Sequence, residues 1–198
     1  MRWRKLIAMC LLLAPLTGLA DDQKGKEEKL PVTAKLVAKK DTYRLELDGK
    51  TPEEFRKLIA AGGKLPAPPA VHLELELHNT SDKEVKIWVK GDPVVLELDV
   101  KGPGAVSVIA QKAFTQEYRA PAATTLPPGR SYSYPITSLK YGFRGVEKHA
   151  YWTEPGEYTI TATLTTAISP APPGTKVQKG FGQVALTSNP LKVKVLGK

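Results

Sequence analysis

Residues 71–90 read VHLELELHNTSDKEVKIWVK, two alternating runs on either side of a polar turn. In 71–79 the apolar residues Val71, Leu73, Leu75 and Leu77 recur at every second position. That is the spacing of one face of a β-strand, not of a helix. Residues 84–90, EVKIWVK, resume the alternation. The simplest reading is a hairpin in which Leu77 faces Val85, Leu75 meets Ile87 and Leu73 meets Val89. This register sets Glu76 opposite Lys86 on the solvent side, so pattern and charge agree, and it puts Trp88 on the polar face with Glu74.

Working outward, the same punctuation continues. VVLELDV (94–100) follows KGDP and AVSVIA (105–110) follows KGPG, both breaks being Gly/Pro turns. SYSYPI (131–136) follows LPPG, and QVALTS (183–188) and LKVKVL (191–196) close the chain. The long run EYTITATLTTAI (157–168) should turn Tyr158, Ile160, Ala162 and Leu164 inward. About seven to nine short strands divided by turns specify an all-β fold, an immunoglobulin-like antiparallel β-sandwich.

The N-terminal side differs. VTAKLVA (32–38) and TYRLELD (42–48) are β-type runs, readable as a hairpin or as one long bent strand. Within DGKTPEEFRKLIAAGGK, Thr51 caps a helix, Pro52 suits its first position and Glu54 completes a capping box. Phe55, Leu58 and Ile59 share one face, and Gly62 and Gly63 end the helix. At about ten residues it must dock to persist. KLPAPPA (64–70) is a stiff proline linker. The expected organisation is strands and helix over 31–69, packed on a sandwich over 70–198.

Residues 1–20 read as an export signal. Arg2, Arg4 and Lys5 precede the apolar LIAMCLLLAPL, and TGLA ends in Gly18 and Ala20, the small residues a signal peptidase needs. Met9 is too bulky for the small-residue box that would make Cys10 a lipid anchor, so the expected product is periplasmic or extracellular, and without that cysteine. The mature chain then has no disulfide, and core burial must hold it together. Residues 21–30, DDQKGKEEKL, read as a flexible leader. Cleavage leaves 26 basic against 20 acidic residues, a net charge of +6. The lysines are scattered, from Lys24, Lys26 and Lys29 to Lys192, Lys194 and Lys198, whereas nucleic-acid binders concentrate theirs. No nucleic-acid partner is expected, nor a transmembrane helix in the mature chain, since no apolar run nears the roughly 18 residues a span needs.

Catalytic patterns are sparse. His72, Glu74, Glu76 and His78 form a row on one strand face, but neighbours about 6–7 Å apart let two share an ion, not four, so a solvated polar face is the preferred reading. The chain has three histidines, His72, His78 and His149, no G-x-S-x-G elbow and no phosphate-cradling glycine loop. Glu154 lies beside Trp152, yet EPGEY has the form of a turn into a strand and no partner carboxylate accompanies it. The sequence therefore points to no enzyme and no cofactor.

Aromatic and cationic residues are densest in SLKYGFRGVEKHAYWTEPGEY (138–158). KYGFRG is bounded by glycines and so reads as a loop, with Tyr141, Phe143 and Arg144 as contact candidates. Trp152 reads as a core or rim plug.

Three segments together resemble the bacterial intracellular proteinase inhibitor (BsuPI-like) family. They are LELELHNTSDKEVKIWVKGD (73–92), KAFTQEYRAPAATTLPPGRSYSY (112–134), in which Phe114, Thr115 and Gln116 precede an L-x-P-G-x-S element, and EPGEYTITATL (154–164). The resemblance spans about residues 70–168 and implies a compact β-sandwich that acts by binding, in the namesake by inhibiting a serine protease. The chain differs from the family in its export signal, its N-terminal helix region, its tail beyond 169 and the inserted KYGFRGVEKHAYW.

The reading that results is an exported, non-catalytic binding module whose partner is another protein, a protease among the candidates. Its contact residues would be Tyr141, Phe143 and Arg144, with Phe114, Thr115 and Gln116. The alternative is a carbohydrate- or cell-envelope-binding domain that uses Trp88 or Trp152 as a stacking platform for an envelope polysaccharide.

Overall fold

In the computed structural model, residues 29–110, 120–143, 145–178 and 180–197 are described. Strands β1 (Val32–Ala38) and β2 (Thr42–Arg44) precede helix α1 (Pro52–Ala60). Then come β3 (Ala70–Asn79), β4 (Val85–Lys90), β5 (Val95–Lys101), β6 (Ala105–Ala110), β7 (Ala122–Leu126) and β8 (Ser131–Ser138). Strands β9 (Lys140–Phe143), β10 (Val146–Trp152), β11 (Gly156–Ser169), β12 (Val177–Gln178), β13 (Phe181–Thr187) and β14 (Leu191–Leu196) complete the chain.

Two sheets enclose the core. One has the order β1-β3-β8, all antiparallel. The other is organised on β11, which at 14 residues is long enough to carry two neighbours on each flank. On one side it pairs with β14 and then β13, and on the other with β5 and then β4. Strand β7 continues from β4. Apart from β2, β12 and the β6, β9 and β10 ribbon, and with β4–β5 and β13–β14 each counted as one bent strand, seven strands remain. The first, second and fifth (β1, β3, β8) face the third, fourth, sixth and seventh in an immunoglobulin-like sandwich. The fold is therefore an all-β sandwich, with one short helix among the described residues.

The alternation seen in the sequence locates the buried face. Val71, Leu73, Leu75 and Leu77 are buried, as are Tyr158, Ile160, Ala162 and Leu164, in one core with Val85, Ile87 and Leu98. Tyr158 also forms a tyrosine corner: its hydroxyl donates to the Glu154 carbonyl at 2.7 Å, and the Pro103 carbonyl lies against the same oxygen.

The 71–90 hairpin is not formed. Strand β3 pairs with β1, placing Leu75 beside Leu36 and Glu76 beside Lys35, and with β8, placing Leu75 beside Tyr134. Strand β4 lies in the opposite sheet, against β7 and β11. The segment between them is a crossover held by Asn79, which is fully buried. Its Nδ2 donates to the carbonyls of Lys83 and Leu126, both at 2.8 Å, and its Oδ1 accepts from the Ser81 N–H and hydroxyl. Alternation fixes which face of a strand is buried but does not name the neighbouring strand. The apolar faces of β3 and β4 meet through the core, not side by side.

Strands β1 and β2 likewise part company, β1 joining β3 and β2 pairing in parallel with β14. They form neither a hairpin nor one continuous strand, because residues 39–41 separate them and they enter opposite sheets. Helix α1 forms with its capping box, and its Phe55 and Ile59 are buried. The Phe55 ring meets Tyr151 edge-on at 5.7 Å. Arg56 reaches Glu154 at 2.6 Å and Thr153 at 3.1 Å, tying the helix to the tyrosine corner.

Candidate functional site

The stretch read as a glycine-bounded loop is a β-hairpin. Strands β9 and β10 enter between β5 and β6, which are consecutive in sequence, giving the order β5-β9-β10-β6. Gly142, at φ +105°, stands opposite Leu96, and a Cβ there would collide with the Val146 carbonyl. Gly145, at φ +78°, lies in the turn. Gly145 serves the turn, whereas Gly142, within β9, makes room for the Val146 carbonyl.

Pairing sorts the side chains of this ribbon into two sets. Tyr141 stands opposite Lys148, which stands opposite Ile109, and Phe143 stands opposite Val146, so these five share one face. Phe143 at 47% and Ile109 at 63% exposure are large apolar residues left to solvent. Tyr141 is buried. Its hydroxyl meets the Ser107 hydroxyl at 3.2 Å, and Lys148 Nζ lies 5.9 Å from its ring while pairing with Glu97 at 3.0 Å.

The other face carries a polar chain into the interior. Lys140 pairs with Glu147 at 2.7 Å, Glu147 meets His149 Nε2 at 2.9 Å, and His149 Nδ1 meets the Tyr151 hydroxyl at 3.1 Å. Tyr151 donates to the Pro66 carbonyl at 2.8 Å, so the hairpin is anchored to the proline linker. Burial pushes the Tyr151 hydroxyl up to about 12. A phenol held neutral in this way is suited to donating a hydrogen bond, not to acid–base work near neutrality.

The remaining sequence candidates are placed as follows. Arg144, Phe114, Thr115 and Gln116 lie outside the described residues. Trp88 is half-buried and does not stand beside Glu74; it neighbours Ala123 and meets the Phe181 ring at 4.0 Å, with Lys86 Nζ 5.8 Å from its own ring. Trp152 is buried between Tyr43 and Tyr158, with ring centroids at 5.3 and 5.8 Å, and offers no stacking face. Glu74 accepts from Ser133 at 2.6 Å and pairs with Lys39 at 3.1 Å; the hydroxyl first, then the lysine, hold its carboxyl below the ordinary range. His78 meets Ser131 at 3.0 Å. Among the described residues no group of three or more His, Cys, Asp or Glu is arranged to hold a metal. Glu154 is occupied by Arg56.

Ile109 was not among the sequence candidates. Its signal lay in AVSVIA, where Ala105, Ser107 and Ile109 alternate with Val106 and Val108, and Ile109 is the only large apolar residue on its side. A cleft of about 620 Å³ lies between the 40–48 and 67–72 segments, rimmed by Lys40, Arg44, Glu46 and Asp48. Its aromatic lining residues, Tyr43, Phe55, Tyr151 and Trp152, are themselves buried and present little ring surface. No helix among the described residues is long and apolar enough to cross a membrane.

No protein-family model matches the chain, and no curated protein matches it. Among solved structures it is similar to E. coli alpha-2-macroglobulin in its native conformation, determined by cryo-electron microscopy, at 17% identity and a TM-score of 0.34 over 85% of this chain. The chain spans 7% of that chain's length.

Proposed function

We propose that the protein is an exported, non-catalytic binding module whose partner is another protein, met through the β9–β10 hairpin. The supporting observation is Phe143, a large apolar side chain exposed at the hairpin end beside Val146. Water-exposed apolar groups on a fixed element favour a partner that covers them, and aromatic residues dominate the binding energy of such contacts. The polar chain from Lys140 to Pro66 restrains the hairpin before any partner arrives, which lowers the ordering cost of binding.

The resemblance to the proteinase inhibitor family makes serine proteases the first partners to test. Residues 21–198 are titrated into a panel of these enzymes, with residual activity followed beside a gel that reports cleavage of the protein itself. Stoichiometric loss of activity with the chain intact supports inhibition, and Phe143→Ala should then weaken it by at least about tenfold. Simple digestion, or full activity across the panel, removes the inhibitor reading. Binding of a different protein would then be sought by cross-linking from the hairpin.

A further inference from the structure

We propose that β6 is a self-association edge: a second copy of this chain adds its own β6 antiparallel to the first, across a two-fold axis at Val108. The observation behind this is which backbone groups β6 leaves open. Its strand partner among the described residues is β10 alone. The Ala150 N–H donates to Leu139, ahead of β9, and the Thr153 N–H donates to Gly104, ahead of β6. Successive residues of a strand point their backbone groups to opposite sides, so Glu147, His149 and Tyr151 aim at β6. Their partners Ala110, Val108 and Val106 therefore point back at β10. Ser107 and Ile109 present N–H and C=O to the open side.

Among the described residues the other sheet edges are short or guarded, β2 having only three residues. On β1 the Leu36 N–H is taken by Asn189 Oδ1 at 3.0 Å. Strand β8 carries Pro135, β7 lies between Pro121 and Pro127, and β12 has two residues. Strand β6, AVSVIA, has neither a charge nor a proline, the devices that normally keep an edge from pairing.

Self-pairing also closes geometrically. With Val108 opposite Val108 of the second copy, Ser107 faces the second copy's Ile109 and Ile109 faces its Ser107. All four of these residues are the ones with outward backbone groups, so two complete hydrogen-bonded pairs form. An isologous contact sets a strand against itself, and a charged strand would then oppose like charges; β6 opposes none. This proposal is independent of the protein-binding reading. A foreign extended strand could occupy the same edge only if the purified protein stayed monomeric.

The test is sedimentation equilibrium of purified residues 21–198 from low micromolar to millimolar concentration, with amide exchange read at both ends. A concentration-dependent dimer is expected, with the Ser107 and Ile109 amides exchanging more slowly as it forms. Ile109→Glu, at an exposed position opposite Lys148, should weaken the dimer by at least about tenfold without lowering the melting temperature of dilute protein. Phe143→Ala should leave the dimer intact, which separates this contact from the proposed partner site. A monomer throughout the range, or a dimer that neither shields these amides nor responds to Ile109→Glu, overturns the proposal.

Discussion

Asn79 Nδ2 donates to the Leu126 carbonyl at 2.8 Å, joining the end of a strand in one sheet to the end of a strand in the other. The same amide group holds Lys83, and its oxygen holds Ser81, so one side chain closes the crossover between β3 and β4. Asn79→Ala would leave buried carbonyls without donors, at a cost of about 2–3 kcal/mol. For a chain of this size the melting temperature should fall by roughly 5–10 °C. Asn79→Asp is expected to do no better, because a carboxylate would face the Lys83 and Leu126 carbonyls. Calorimetry of both variants checks this, and an alanine variant with an unchanged melting temperature would refute the clamp.

Tyr158 makes a similar link within one sheet, between the turn ahead of β11 and the turn after β5. Tyr158→Phe keeps the buried ring and removes the hydroxyl that serves the Glu154 and Pro103 carbonyls. The expected loss is about 1–2 kcal/mol, seen as a lower urea midpoint with an unchanged slope. A change in slope would mean that the variant altered more than this bond.

Strand faces were legible in the sequence to a greater degree than strand neighbours. Leu73, Leu75 and Leu77 are buried as their spacing predicts, and Tyr158 to Leu164 behave alike, because a period of two is a local property. The capping box at Thr51 and Glu54 is local too, and it forms as read. What the alternation lacked was the neighbours of Leu75, which are Leu36 and Tyr134 and not Ile87. That choice depends on the crossover clamp at Asn79, and NTSDK carries no mark distinguishing a crossover from a hairpin turn. The β9–β10 hairpin was hidden for a different reason. At Gly142 the pattern shows a glycine where a strand reader expects a side chain, and the need for it becomes visible only beside Val146. Strand β7, AATTL, is too poor in large apolar residues to show a buried face at all.

Alkaline pH should unfold the protein more readily than its pI suggests. Burial raises the hydroxyls of Tyr43 and Tyr158 above the ordinary tyrosine range and pushes Tyr151 up to about 12. In the unfolded chain these groups lose their protons near pH 10. Above that pH the unfolded state binds fewer protons than the native state, so stability falls as pH climbs from about 10 toward 12; below about 10 the contribution is fully present. Spectrophotometric titration at alkaline pH should show these tyrosines ionising late, together with unfolding. Tyr151→Phe should make stability less steeply dependent on pH in this window. Three tyrosines titrating normally in a folded chain would contradict the burial argument.

The glycine at position 142 offers a sharper test of the hairpin than any exposed residue. Gly142 and Gly129 both have positive φ, +105° and +69°, so an alanine at either is strained by its backbone conformation. They differ in surroundings: nothing lies within 4 Å of a Cβ at Gly129, whereas at Gly142 it would strike the Val146 carbonyl. Gly129→Ala should therefore cost about 1 kcal/mol, the conformational penalty alone. Gly142→Ala should cost clearly more, about 2–4 kcal/mol, because the collision is with backbone that cannot rotate away. The loss should be concentrated in the ribbon, with faster amide exchange along β9, β10 and β6 and little change in β3 or β11. Proteolytic nicking near the turn of the hairpin should rise in parallel. Equal costs for the two alanines, or a loss spread evenly over both sheets, would mean that the hairpin does not close around Gly142 as described.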